Sequence, residues 1–308
     1  RLVPQTAIPA LLASLLESTI KQYSYPLRAW WNFCQRQGVP PFSPSATQTL
    51  EFLAQELLNI SSYSSLNIMR SAISLISCNE IGNHPIVRRF CKGVAALKPP
   101  HPRYDYVWDP APVLAKLASL YRYEGVPLKS ITKKLVLLLA LGTGHRAQTL
   151  SSLRLSQISI SEKLTIRVPD RLKTSASSRF QPFCFSRFEN HENLCIVLLM
   201  EHYISMTKEL RPSSCDSLFV SLSKPIKTVT AQTISRWIKQ GLQDCGINVT
   251  KFSAHSTRHA STSRAAERGV TSELIKRAAG STGESRVFSN FYKRPIINLD
   301  FSNAVLLS

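Results

Sequence analysis

Apolar side chains recur at helical spacing along most of the chain. Leucine and alanine positions within residues 1–18 predict a short first helix. From Ser18 to Gln37, the residues Tyr23, Leu27, Trp30, Trp31 and Phe33 form one stripe. Pro26 interrupts that stripe, so the helix is expected to begin as late as Pro26. Gly38 and Pro40-Pro41 end it. Ser45 is placed to cap a helix running to about Leu58, with Leu50, Leu53, Ala54 and Leu57 on its apolar face. A further helix is expected from Ser61 or Ser64 to Cys78 on Leu66, Met69, Ile73 and Ile76, and a shorter one from Asn83-His-Pro85 through Val94. Residues 1–96 thus read as an all-helical domain.

Prolines then cluster. Leu97-Lys-Pro-Pro-His-Pro-Arg103 to Asp109-Pro110 has few helix formers, and residues 97–109 are expected to be an extended linker, with an irregular surface loop within one domain as the alternative. Helical patterns resume at Pro110–Tyr123, Ser130–Leu141, Glu192–Glu209, Thr230–Cys245, a helix capped by Ser253 and stopped by Gly269, Ser272–Ala279 and Glu284–Lys293. Alternation in Lys163-Leu-Thr-Ile-Arg-Val-Pro169 predicts a strand, with Arg179–Phe185 as its partner and a polar turn between them. The fold class is therefore mainly α, with a small β-hairpin sheet in a second domain, residues 110–308.

Charge narrows the partners. Of 308 residues, 38 are Lys or Arg and 19 are Asp or Glu, a net charge of +19. The basic residues are scattered through the folded pattern, which favours a basic surface for a polyanion over a disordered basic arm. The seven cysteines have no zinc-knuckle spacing and are expected to be reduced thiols in an intracellular protein. The most apolar run, Leu135-Val-Leu-Leu-Leu-Ala140, is too short to span a bilayer, so no membrane association is expected.

Four short stretches carry chemistry that suits a phosphodiester. His255-Ser-Thr-Arg258 places an imidazole and a guanidinium one helical turn apart. His259 follows as a supporting neighbour. Arg146 lies in Gly142-Thr-Gly-His-Arg146, in a turn after an apolar helix, where a charge is costly without an anionic partner. Two guanidinium groups match the oxygens of a phosphate and keep their charge. His255 can move a proton near neutrality. Lys173, in the expected hairpin turn, is a candidate general acid, and Tyr292, in Phe288-Ser-Asn-Phe-Tyr292, a candidate nucleophile. No third carboxylate or cysteine accompanies His255 and His259, so no metal is expected there, and nothing in these motifs calls for a cofactor.

In this order the residues resemble the tyrosine recombinase and integrase family, over roughly residues 110–295. The family's first arginine turn is matched by Thr143-Gly-His-Arg146, its hairpin lysine by Lys173, its His-x-x-Arg box by His255-Ser-Thr-Arg258, and its late tyrosine by Tyr292. Details are most similar to the recombinases of eukaryotic mobile elements of the DIRS and Ngaro kind: Pro99-Pro-His-Pro-Arg-Tyr104, His145-Arg-Ala-Gln-Thr-Leu150, Arg277-Ala-Ala-Gly280 and Phe291-Tyr-Lys-Arg-Pro295. One departure is Ser281 after Gly280, where the family usually has histidine or tryptophan.

The resemblance implies a helical core-binding domain and an α-rich catalytic domain clamping double-stranded DNA. It implies attack by Tyr292 to give a 3′-phosphotyrosyl link, with Arg146 and Arg258 stabilising the transition state, Lys173 protonating the leaving 5′-oxygen and His255 assisting. Neither ATP nor metal is implied. A homo-oligomer on DNA, dimer to tetramer with exchange of the C-terminal tail, and a nuclear location follow from the same resemblance. Three alternatives stay open: a domesticated DNA-binding protein that keeps the fold without the chemistry, a basic helical scaffold, and a type IB topoisomerase.

Overall fold

The structure is a computed structural model, and it describes residues 4–99, 104–168 and 182–280. The chain divides into two compact units, Arg1–Pro102 and Arg103–Ser308.

The first unit holds five helices among its described residues: α1 (Ile8–Ala13), α2 (Glu17–Gln37), α3 (Ala46–Leu57), α4 (Tyr63–Ile76) and α5 (Pro85–Leu97). Its core is aromatic at the centre. Trp30, Phe33 and Phe52 meet with ring centroids 5.1–5.6 Å apart, surrounded by Leu53, Leu66 and Ile73. The local signals act as their chemistry requires. Gly38 closes α2 in the left-handed region at φ 64°. Ser45 and Gln48 form a reciprocal capping box on α3. Pro26 does not start α2 but lies within it, buried on the same face as Trp30, Phe33 and Cys34. Packing of that face offsets the one backbone hydrogen bond the proline cannot donate.

The second unit is built around α7 (Leu128–Thr143), whose residues Leu135 to Ala140 are all buried. Around it stand α6 (Pro110–Ala118), α8 (Ala147–Ser151), α9 (Ile196–Lys208), α10 (Ala231–Asp244), α11 (Ser256–Glu267) and α12 (Ser272–Ala278). Strands β1 (Ile158–Ile160), β2 (Lys163–Ile166) and β3 (Phe183–Ser186) form one antiparallel sheet in the order β1-β2-β3, with Ile166 opposite Phe183. Leu164, Ile166 and Phe183 face the core. Strand β1 was not evident in the sequence, because Ile-Ser-Ile is too short to show an alternation.

The expected linker is corrected at both ends. Helix α5 runs on to Leu97, and Tyr104, Val107 and Trp108 are buried in the core of the second unit. Prolines flank that stretch, but its aromatic residues have a core to enter. Three helix limits also move. The helix after Pro110 ends at Ala118, leaving Tyr121 and Tyr123 in a loop. The one expected from Glu192 begins at Ile196, after a single 3₁₀ turn. Ser253 does not cap α11, because its hydroxyl is engaged with Tyr104. The predicted segment Glu284–Lys293 lies outside the described residues. No helix among the described residues is long and apolar enough to cross a membrane.

Candidate functional site

The site begins where α7 stops. Gly144, at φ 64°, returns its N–H to Ala140 and turns the chain. His145 follows, and Arg146 stands at the N-cap of α8. Helix α11 arrives at the same place with His255 at its own N-cap. His145, Arg146, His255 and Arg258 line one cleft of about 280 Å³, with Gln148, Gln232, Ser235 and Thr257 also on its wall. Among the described residues, no aspartate or glutamate lines it. Three of the predicted residues, Arg146, His255 and Arg258, are thus brought together from positions far apart in the chain.

The two arginines occupy different settings. Arg258 is 1% exposed, and its guanidinium donates to the carbonyl of Gly144 (2.8 Å) and to that of Ala279. Arg146 is exposed. Arg146 therefore does not occupy the costly position expected for it from the sequence. The costly position belongs to Arg258, whose hydrogen bonds to carbonyl oxygens offset its removal from water. Arg258 forms the floor of the cleft, while Arg146 and His255 stand at its solvent side.

His259 lies behind His255. Their rings meet edge to face at 5.3 Å, and the His259 ring also meets Tyr104 edge to face at 5.5 Å. The stretch before α6 braces the start of α11. Tyr104 Oη lies 2.6 Å from Ser253 Oγ and accepts the Ser253 N–H at 3.1 Å, while Trp108 Nε1 donates to Ser256 Oγ at 2.8 Å. Tyr106 carries Lys251 over its ring at 3.9 Å. These contacts span about half the chain and have no local sequence signal.

His145 opens the motif His145-Arg-Ala-Gln-Thr-Leu150, and no role is assigned to it from the sequence. It is 6% exposed and meets Phe183 of β3 edge to face, with centroids 4.8 Å apart. Burial, helped by the Arg258 charge, pushes its pKa down to about 4, so the ring is neutral near pH 7. Its position beside Arg146 in the motif was the available clue.

Lys173, Ser281 and Tyr292 lie outside the described residues. Lys173 belongs to the chain between β2 and β3, while Ser281 and Tyr292 come after α12. Among the described residues no group of three or more His, Cys, Asp or Glu side chains could hold a metal ion.

Comparison with known proteins gives a family. The model of the phage integrase family matches residues 116–293. Solved structures share the fold at low identity. A XerH site-specific recombinase bound to palindromic difH substrate, in a post-cleavage complex, aligns with TM-score 0.59 and 15% identity, over 94% of this chain and 80% of that one. A lambda integrase dimer bound to a COC′ core site aligns with TM-score 0.52 and 16% identity, over 92% of both chains. The Tn1549 transposon integrase in complex with circular intermediate DNA gives 0.51 and 13%, over 87% and 86%. Comparison with curated proteins gives no match.

Proposed function

The chain belongs to the phage integrase family of tyrosine recombinases, and we propose that it breaks and rejoins double-stranded DNA at specific sites through a 3′-phosphotyrosyl intermediate. The observation that carries this reading is the cleft itself. Arg146, His255 and Arg258 share one pocket with no acidic side chain among the described residues, in a chain of net charge +19. Such a pocket suits a phosphodiester, whose non-bridging oxygens gain charge as the phosphorus becomes five-coordinate.

In this mechanism the Tyr292 oxygen attacks phosphorus, its phenolic proton leaves by way of His255, and the bond to the 5′-oxygen breaks. Lys173 gives that oxygen a proton and His255 assists the proton transfer. Arg258, fixed by two carbonyls, and the exposed Arg146 neutralise the equatorial oxygens. The phosphotyrosyl bond keeps the energy of the broken one, so a 5′-hydroxyl from a second strand reverses the step and releases Tyr292. His259 holds the His255 ring from behind. Residues 1–96 and 110–308 both contact the duplex, and two to four copies assemble on it with exchange of the C-terminal tail. The lambda integrase dimer and tetramer on DNA are precedents for such assembly. The motifs around residues 99–104 and 145–150 support assignment to eukaryotic mobile elements of the DIRS and Ngaro kind, acting in the nucleus.

The test is a pool of nicked duplexes with randomised flanks, from which cleavage lets the short product strand diffuse away. The wild-type chain should become covalently linked to DNA, and Tyr292→Phe should not. Ser281 favours a second reading, a protein that binds DNA without cleaving it. That reading gives binding to the pool and no adduct, and Ser281→His would then be expected to restore one.

A further inference from the structure

The resemblance gives no role to the residue between Gly144 and Arg146, yet the structure places three parts of the site against it. The His145 ring lies on Phe183, the first residue of β3. Its Nδ1 is 3.3 Å from Thr149 Oγ1 of α8. The ring also hydrogen-bonds the main chain of Ala278, the last residue of α12. Its own N–H donates to Thr143 Oγ1 at 3.1 Å, which fixes the turn it stands on. His145 lines the cleft with Arg146 and Arg258, and also a second cavity, of about 310 Å³, between β3 and α12.

Helix α12 needs such a tie. It has seven residues, and its apolar anchor is small: buried Ile275 and Ala279 against Ala265, Ala266 and Val270. A helix of two turns does not hold itself together in water. Its C-terminal carbonyls are bound instead by two side chains of the cleft, Ala278 by His145 and Ala279 by Arg258. The imidazole suits this place because it is neutral. One ring nitrogen donates to the Ala278 carbonyl and the other accepts from Thr149, whereas a cation would stand beside Arg146 and Arg258.

We propose that His145 is a positioning residue, which docks the C-terminal end of α12 onto the Arg146–Arg258 cleft and so sets where the chain leading to Tyr292 departs. It touches no reacting atom. Its consequence for cleavage rests on the recombinase reading above, while the docking itself does not.

The experiment compares the wild-type full chain with His145→Gln, which keeps a neutral N–H donor, and His145→Phe, which keeps ring volume without one. Hydrogen exchange of the amides in residues 272–280 reads docking. Loss of one such hydrogen bond should speed their exchange about tenfold in His145→Phe, with His145→Gln close to wild type. The single-turnover rate of adduct formation on the nicked pool should fall roughly ten- to a hundredfold in His145→Phe. DNA affinity should change less than about twofold, since no phosphate contact is lost. Should His145→Phe fail to fold, His145→Ala takes its place. Unchanged exchange in the donorless variant overturns the proposal, and so does a glutamine variant no better than phenylalanine. If the wild type forms no adduct, the recombinase reading falls, and the exchange measurement alone decides the role of His145.

Discussion

Arg146 and Arg258 carry the same charge, yet the fold uses them differently, and their variants should separate. Arg258 ties the end of α7 to the end of α12 through Gly144 and Ala279. Arg258→Ala leaves those two carbonyls without their donor inside the protein, so about 2–4 kcal/mol of stability should be lost in urea unfolding, along with adduct formation. Arg146→Ala removes an exposed side chain and should stay within about 0.5 kcal/mol of wild type while abolishing the adduct. Equal destabilisation by both would contradict the distinction. The site was legible in the sequence as far as pairing chemistry allowed. That Arg146, His255 and Arg258 would share one cleft was readable because guanidinium and imidazole groups at those spacings suit a phosphate. Burial was not readable, and it placed the costly charge on the wrong arginine. His145 was missed because a single histidine has no pattern, and its value comes from Phe183 and Ala278, contacts the chain makes only when folded.

Helices were legible where they end in local chemistry and illegible where packing decides. Gly38, Ser45 and Thr230 mark ends through their own backbone or side-chain groups, and the helices obey them. Pro26 was misleading because the core around Trp30 outweighs one missing hydrogen bond. Tyr104 and Trp108 looked like linker because their partners, Ser253 and Ser256, lie far downstream. Close packing also gives two predictions. Helix α10 crosses α7 at Gly241, where an added Cβ would come 2.5 Å from Leu137 Cδ1 in a fully buried part of the core. Alanine normally favours a helix, but Gly241→Ala should here lower stability by about 1–3 kcal/mol in thermal or urea unfolding. The second concerns Lys134, buried within α7, which donates to the Asn193 carbonyl at 2.7 Å and lies 4.8 Å from the Tyr123 ring centre. Burial pushes its pKa down to about 8. An unfolded lysine titrates near 10.4, so between about pH 8 and 10.4 the unfolded chain holds a proton that the folded chain has released. Stability should therefore rise with pH across that window, relative to Lys134→Met, by about 1–3 kcal/mol. Below pH 8 the difference between the two proteins should be flat.

At the scale of the molecule, an excess of 19 positive charges fixes how association should respond to salt. Most of that excess lies in the second unit, Arg103–Ser308, the unit that also contains the cleft. Each phosphate neutralised by a lysine or arginine releases condensed counterions, so affinity falls as a power of the salt concentration. With roughly six to ten phosphates contacted, affinity for a mixed-sequence duplex should drop about 10³- to 10⁵-fold between 50 and 200 mM salt. Chemistry inside the cleft follows a different rule. Arg258 is out of contact with water, so under the proposed mechanism salt should screen its action on a bound phosphate much less than it screens the exposed charges. The two effects separate in one titration. At saturating DNA, the single-turnover rate of adduct formation should vary little across the range in which affinity collapses. Arg146→Ala should reduce the magnitude of the salt slope by about one, as expected for one exposed phosphate contact, whereas Tyr292→Phe should leave the slope unchanged and remove the adduct. A slope near zero would remove the polyanion from the account altogether. A cleavage rate that fell with salt as steeply as binding does would mean that the phosphate in the cleft is held by exposed charges, and that buried Arg258 is a brace for α12 with no part in the chemistry.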